Sequence, residues 1–195
     1  MGLPTVFVRL TGCPLRCQYC DTAYAFSGGE LISLATILDT VRSKGVRHVT
    51  VTGGEPLAQP NVHALLTALC DEKFIVSLET SGAIDISGVD ARVVKILDLK
   101  TPGSGEVGRN LWENINHCNL KDQIKFVICN RQDYDWAKLK CDEYAVSNKV
   151  ADVLFSPSAD EMKANVLADW IIEDRLSVRM QIQLHKYLWG DQPGR

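Results

Sequence analysis

The sequence predicts an α/β fold: a partial, open (β/α) barrel on a mainly parallel sheet. Three observations predict it. Strand-like runs alternate with helical patterns of about 10–15 residues, the rhythm of βαβ units. About seven strands fit in the 195 residues, short of the ~250 residues typical of a closed eightfold barrel. The residues with chemical character stand just after strands, at the end where parallel α/β folds gather their ligands.

Each element has a local reason. Thr5–Leu10 alternates and is rich in Val and Phe, so it reads as a strand. Residues 11–30 carry Gly12, Pro14, Gly28 and Gly29 and read as a loop. Ser33 is placed to cap a helix with Leu34, Ile37, Leu38 and Val41 on one face, stopping at Gly45. Arg47–Thr52 is a strand broken by Gly53-Gly54-Glu55-Pro56, and Asn61 caps a helix through Cys70 with Val62, Leu65, Leu66 and Leu69 inward. Phe74–Leu78 is a strand closed by Glu79-Thr80-Ser81-Gly82, and Val93–Leu99 is another, followed by a Gly-rich loop from Thr101 to Gly108. A short helix around Leu111–Cys118 leads to the strand Gln123–Cys129, and Tyr134–Ser147 reads as helical. Val150–Phe155 is a strand, Asp160–Asp174 an amphipathic helix capped by Asp160, and Ser177–Gln183 a last strand. No linker or fixed-period repeat interrupts the pattern, so residues 1–195 read as one domain.

Composition narrows the function classes. The apolar share is 46% and the charged share 23%, ordinary for a globular domain. Twenty-one basic against 24 acidic residues leave a net charge of −3, which argues against a broad basic face for nucleic acid. No apolar run approaches the ~18 residues of a membrane span, and the first residues lack the zones of a secretory signal. A cytoplasmic location is expected. The cysteines number seven, an odd count, and three of them crowd into Cys13-x₃-Cys17-x₂-Cys20. Such a cluster points to metal or redox chemistry rather than to a disulfide framework. Cys70 and Cys129 suit the role of small buried hydrophobes.

Three thiolates on one loop hold a soft metal. Structural zinc and ferredoxin clusters usually take four ligands, so three leave one position open for an outside molecule. A zinc knuckle completed by a distant ligand is the other reading of the same spacing. Gly12 lets the backbone come close, and Arg16 could offset thiolate charge. Thr52-Gly53-Gly54-Glu55-Pro56 supplies a strand end at which a ligand could meet backbone N–H and C=O groups.

Together these two segments resemble the radical S-adenosylmethionine superfamily, and the fold expected is its open barrel. The match extends to Phe7-Val8-Arg9-Leu10-Thr11-Gly12-Cys13, Cys20-Asp21-Thr22, Glu79-Thr80-Ser81-Gly82, Asp98-Leu99-Lys100-Thr101-Pro102-Gly103-Ser104-Gly105 and Gln183-Leu184-His185-Lys186. On these residues nearly the whole chain is similar to the 7-carboxy-7-deazaguanine synthase family. The resemblance implies a carbon–nitrogen lyase of queuosine (7-deazapurine) biosynthesis. Its reaction converts 6-carboxy-5,6,7,8-tetrahydropterin to 7-carboxy-7-deazaguanine with loss of ammonia. The implied cofactors are a 4Fe–4S cluster, S-adenosylmethionine and Mg²⁺. The implied partners are the pterin, a flavodoxin or ferredoxin electron donor and a second copy of the chain in a homodimer, with no nucleic acid and no membrane.

Carried onto this sequence, the resemblance implies Cys13, Cys17 and Cys20 on the cluster and Thr22 on Mg²⁺. It implies Arg9 and Thr52 on the substrate, and Tyr19, Cys20, Asp21 and Gly54 against S-adenosylmethionine. Asp98, Leu99, Lys100, Ser156, Pro157 and Ser158 would finish the cofactor wall. Family members normally begin with a segment whose Gln-Gly-Glu turn grips the pterin. Here the sequence opens after it, at Met1-Gly2-Leu3-Pro4, so the expectation is a shortened start or a different hold on the substrate. The tail Trp189–Arg195 is longer than in short members.

Structural roles compete for several of these residues. Glu55 suits a helix start, where the macrodipole favours a carboxylate. Thr22 suits a turn hydroxyl, and Glu79 and Ser81 could satisfy strand-end backbone groups. His48, His63 and His117 carry no functional signal, and His185 reads as a packed or surface histidine. A glycyl-radical activating enzyme shares the cysteine spacing and the glycine-rich strand end. An iron–sulfur or zinc-binding interaction module is the non-enzymatic alternative, weakened by the absent fourth ligand.

Overall fold

A computed structural model describes residues 2–159, 161–190 and 192. Seven strands form one sheet: β1 (Thr5–Leu10), β2 (His48–Gly53), β3 (Ile75–Thr80), β4 (Val94–Leu99), β5 (Gln123–Ile128), β6 (Asp152–Pro157) and β7 (Arg179–Met180). They stand in chain order and every neighbouring pair is parallel. β1 and β7 are the two edges, so the sheet is open.

The crossover helices are α1 (Leu34–Ser43), α2 (Val62–Asp71), α3 (Arg131–Glu143) and α4 (Ala164–Glu173). Residues of all four join one core with alternate residues of the strands, so the helices cover a single face of the sheet. Val49, Val51, Leu78, Leu97, Phe126 and Phe155 point into that core and are fully buried. Strand residues two apart share a face, which leaves Arg9, Thr52, Glu79, Asp98 and Lys125 on the other side, here called the inner face. One-sided winding is the barrel arrangement rather than the doubly wound one.

Capping explains the boundaries that agree and those that shift. Ser33 accepts a hydrogen bond from the Thr36 N–H at 3.1 Å and starts α1 as the sequence predicts. Asn61 precedes α2 but makes no side-chain cap bond. α3 begins at Arg131 rather than Tyr134, because Asn130 accepts from the Asp133 N–H at 3.0 Å. It ends at Glu143 rather than Ser147, where Ala145 turns left-handed with φ +48°. α4 begins at Ala164, and the predicted cap Asp160 lies outside the described residues. The predicted last strand contracts to Arg179–Met180, and Leu184–Trp189 forms a further helix, α5, that the sequence reading leaves out. No helix among the described residues is long and apolar enough to cross a membrane.

Candidate active site

The loop after β1 is held by its neighbours on three sides. Gly54 N–H donates to the Leu10 carbonyl at 2.9 Å and Glu55 N–H to the Gly12 carbonyl at 2.8 Å. Gln18 N–H donates to the Ser104 carbonyl at 3.0 Å, and Arg16 N–H to Glu106 Oε1 at 2.5 Å. Two glycines make the close approach feasible. A Cβ at Gly53, where φ is +144°, would lie 1.9 Å from the Leu10 carbonyl oxygen, and one at Gly54 2.3 Å from that of Gly12. The structure gives the glycine segment a second, structural role. The N–H groups of Gly54 and Glu55 secure the cysteine loop, and the space the glycines leave is filled by protein backbone.

Glu55 is fully buried and serves as a clip. Its carboxylate accepts from Leu57 N–H at 2.9 Å, from the Thr80 hydroxyl at 2.9 and 3.0 Å, and from Ser81 N–H at 2.6 Å. It ties the end of β2 to the end of β3, and its structural role wins over ligand contact.

Cys13, Cys17 and Cys20 are half-buried free thiols. Burial pushes the Cys17 thiol up to about 11 and raises Cys13 too. The charge of Cys20 raises both further, while Lys100 opposes the rise. Cys13 and Cys17 therefore both feel Cys20 across the loop. Among the described residues no three Cys, His, Asp or Glu side chains are already drawn to metal-binding distance. The donor set is nonetheless suited to a cluster: three soft ligands on one loop, a lysine nearby, and no fourth competing side chain. Arg16 does not reach the sulfurs but donates to the Cys13 and Leu15 carbonyls, each at 2.7 Å, and stacks over Phe26.

Tyr19 points inward. Its hydroxyl is buried with no partner among the described residues, and burial followed by the charge of Asp98 drives its pKa far upward. Asp21 accepts from the Thr22 hydroxyl at 2.7 Å and from the Gln183 amide at the start of α5. Burial alone would raise its pKa, but these bonds and the Lys125 and Lys186 charges hold it below the usual range. Thr22 stands before the short 3₁₀ turn Ala23–Ala25 without a side-chain cap bond, so its oxygen lone pairs are not spent on the turn.

Across the inner face, Arg9 of β1 pairs in register with Thr52 of β2. The Thr52 hydroxyl donates to Glu79 Oε2 at 3.3 Å. Arg9 is exposed, its guanidinium 5.8 Å from the ring centre of Tyr24. Further along, Asp98 of β4 stands opposite Lys125 of β5. Lys100 Nζ lies 3.0 Å from Asp98 Oδ1 and Lys125 Nζ 3.3 Å from Oδ2. Desolvation opposes all three charges, yet mutual attraction keeps Asp98 low and both lysines high. Leu99 is fully buried in the helix-side core, so only its backbone faces the mouth. Ser156 and Ser158 are buried at the end of β6, and Pro157 lines a cavity of about 440 Å³ shared with Met162, Ile182, Gln183 and Tyr187.

Sequence reasoning missed Lys125 and Asn110 as parts of this site. Lys125 was detectable: in Gln123–Ile128 it alternates with Ile124, Phe126 and Ile128, so its ammonium had to lie opposite the core. Asn110 gave no signal. It clamps Lys100 by accepting from its N–H and donating to its carbonyl, both at 2.8 Å, a pairing only the fold brings about.

The Radical SAM superfamily model matches residues 7–99. The chain is 40% identical to a 7-carboxy-7-deazaguanine synthase of Chlorobaculum tepidum, over 97% of this chain and 87% of that one. It is 38% identical to the synthase of Koribacter versatilis, over 96% and 89%, and 33% identical to that of Thermoplasma acidophilum, over 99% and 91%. Among solved structures it resembles Streptococcus suis SuiB bound to precursor peptide SuiA, with TM-score 0.69 and 16% identity over 94% of this chain. The chain spans about half of SuiB, covering 49% of it, and the likeness is one of fold. By the identity and coverage of these relatives, the chain belongs to the 7-carboxy-7-deazaguanine synthase family.

Proposed function

We propose that this chain converts 6-carboxy-5,6,7,8-tetrahydropterin to 7-carboxy-7-deazaguanine with loss of ammonia, as a lyase of queuosine biosynthesis. The observation that carries this reading is the joining of the three-cysteine loop to an inner face that presents Arg9, Thr52 and Glu79 in a row. A small carboxylated heterocycle needs such a polar, oriented surface beside a radical source.

Cys13, Cys17 and Cys20 would hold a 4Fe–4S cluster beside bound S-adenosylmethionine. When bound, the two would supply radical hydrogen-abstraction chemistry. The protein's own residues bind, orient and shield. Arg9 meets the substrate carboxylate with a planar fork of donors. Thr52, braced on Glu79, fixes the neighbouring edge of the pterin. Tyr19, Cys20, Asp21, Gly54, Asp98 and Lys100 line the S-adenosylmethionine site. Ser156, Pro157 and Ser158 close it, and Leu99 contributes backbone alone. Thr22 offers an oxygen to Mg²⁺, a cation that prefers such donors and retained waters. One electron arrives from a flavodoxin or ferredoxin, and the enzyme works as a homodimer in the cytoplasm.

An anaerobic assay with the pterin, S-adenosylmethionine, Mg²⁺ and a reductant tests the reading. Formation of 7-carboxy-7-deazaguanine is expected. Production of 5′-deoxyadenosine without deazaguanine would keep the radical chemistry and discard the substrate. Turnover indifferent to Mg²⁺ removal would discard the role of Thr22.

A further inference from the structure

We infer that Lys125 is a positioning residue that keeps Lys100 available to the carboxylate of S-adenosylmethionine by occupying one oxygen of Asp98. The inference rests on the proposal that Lys100 belongs to the S-adenosylmethionine wall, and it goes beyond it by assigning a role to Lys125.

Asp98 is a single carboxylate between two ammonium groups, one at each oxygen. The side chains of Lys100, Asp98 and Lys125 are only 10%, 18% and 21% exposed, so their attraction is weakly screened. Within this triad two cations share one anion. The register fixes Lys125 opposite Asp98, and the Asn110 clamp fixes the Lys100 backbone. The Lys100 side chain is what remains to be aimed. Among the described residues its ammonium is held by Asp98 Oδ1 alone, at 3.0 Å. A carboxylate free of Lys125 would offer both oxygens to Lys100, draw its ammonium down and neutralise it. With Lys125 in place, Lys100 is half-neutralised and keeps donors for an incoming anion.

Lys125 also balances the rest of the face. It feels the charges of Glu79 and Asp21 as well as Asp98, so three carboxylates look toward one ammonium. Uncompensated buried charges are costly, and the lysine keeps this acidic row compatible with an anionic ligand nearby.

Dissociation constants for S-adenosylmethionine, measured on anaerobically reconstituted parent, Lys125→Met, Lys125→Arg, Lys100→Met and the Lys100→Met/Lys125→Met double variant, test the inference. Lys125→Met is expected to weaken binding about tenfold, equivalent to about 1.4 kcal/mol, while Lys125→Arg stays within about threefold of the parent. Because Lys125 acts through Lys100, the double variant should bind no more weakly than Lys100→Met alone, a non-additivity diagnostic of coupled groups. Additive losses, or parent-like affinity in Lys125→Met, would overturn the inference while leaving Lys100 on the wall. Parent-like affinity in Lys100→Met would overturn the reading of the wall itself and the inference with it. Should Lys125→Met fail to fold, Lys125→Gln in the same cycle carries the same expectations.

Discussion

The two faces of this one sheet are built by the same strands and obey opposite rules. Toward the helices stand Val49, Val51, Leu78, Leu97, Phe126 and Phe155, none with measurable exposure. One residue along each strand, the inner face presents Thr50, Thr52, Glu79, Asp98, Lys125 and Ser156. Parallel strands packed on both sides read as nearly continuous apolar runs. Here they alternate, and the polar half includes charges held largely away from water. Exchanging a buried ion pair for apolar residues is often neutral or stabilising, so stability does not explain this half. The helix face makes the fold, and the inner face is kept polar for what binds there.

The largest expected effect breaks the link between the inner face and its cofactor. Cys13→Ala, Cys17→Ala or Cys20→Ala should abolish reductive cleavage of S-adenosylmethionine, because two thiolates do not hold the cube. Cys70→Ala and Cys141→Ala, buried on the helix side, should retain it. Quantifying 5′-deoxyadenosine checks this, and the parent rate in Cys17→Ala would remove the cluster from that loop.

The next effect belongs to the helix face. Phe155 meets Phe126 edge-on at 5.7 Å and Tyr134 at 5.8 Å. Phe155→Ala should cost about 3–5 kcal/mol through lost burial and a residual cavity. Thr52→Val on the inner face removes one hydroxyl and its bond to Glu79 and should cost about 0.5–1.5 kcal/mol. Urea denaturation of the two variants makes the comparison quantitative. Equal losses would mean that the faces do not divide stability from binding as argued.

Much of this division was legible in the sequence. The alternation in His48–Gly53 and Gln123–Ile128 assigns both faces, and the three cysteines announce the loop. The open, parallel sheet follows from the βαβ rhythm. The illegible parts depend on tertiary contact. That Gly53 and Gly54 also make room for the backbone of Leu10 and Gly12, segments remote in sequence, could not be read from the glycines alone. The clip made by Glu55 requires Thr80 and Ser81 of another strand. α5 escaped because six residues are too few for periodicity to separate a helix from a strand. Lys125 escaped although alternation exposed it, because a lone lysine in a strand has no motif around it.

The smallest effect sharpens what the inner face recognises. Arg9 stands at the exposed edge strand, four residues before Cys13, in register with Thr52. It is not committed to a carboxylate of the described residues through any ion pair, unlike Lys100 and Lys125. Its guanidinium fits a carboxylate with two parallel N–H bonds, a geometry that a lysine ammonium does not reproduce. A charge-assisted hydrogen bond of this kind contributes about 1.5–3 kcal/mol, roughly ten- to 150-fold in binding. Arg9→Lys should therefore lose pterin affinity within that range. Cluster content and S-adenosylmethionine affinity should persist, because among the described residues this side chain meets the loop only at the Tyr24 ring and makes no ion pair with Lys100 or hydrogen bond to a cysteine. The fold should also persist, since Arg9 contributes nothing to the helix-side core. Titrating the pterin into the reconstituted parent and variant decides the matter. Equal affinities would return Arg9 to a solvated side chain at a strand end and move carboxylate recognition elsewhere on the inner face.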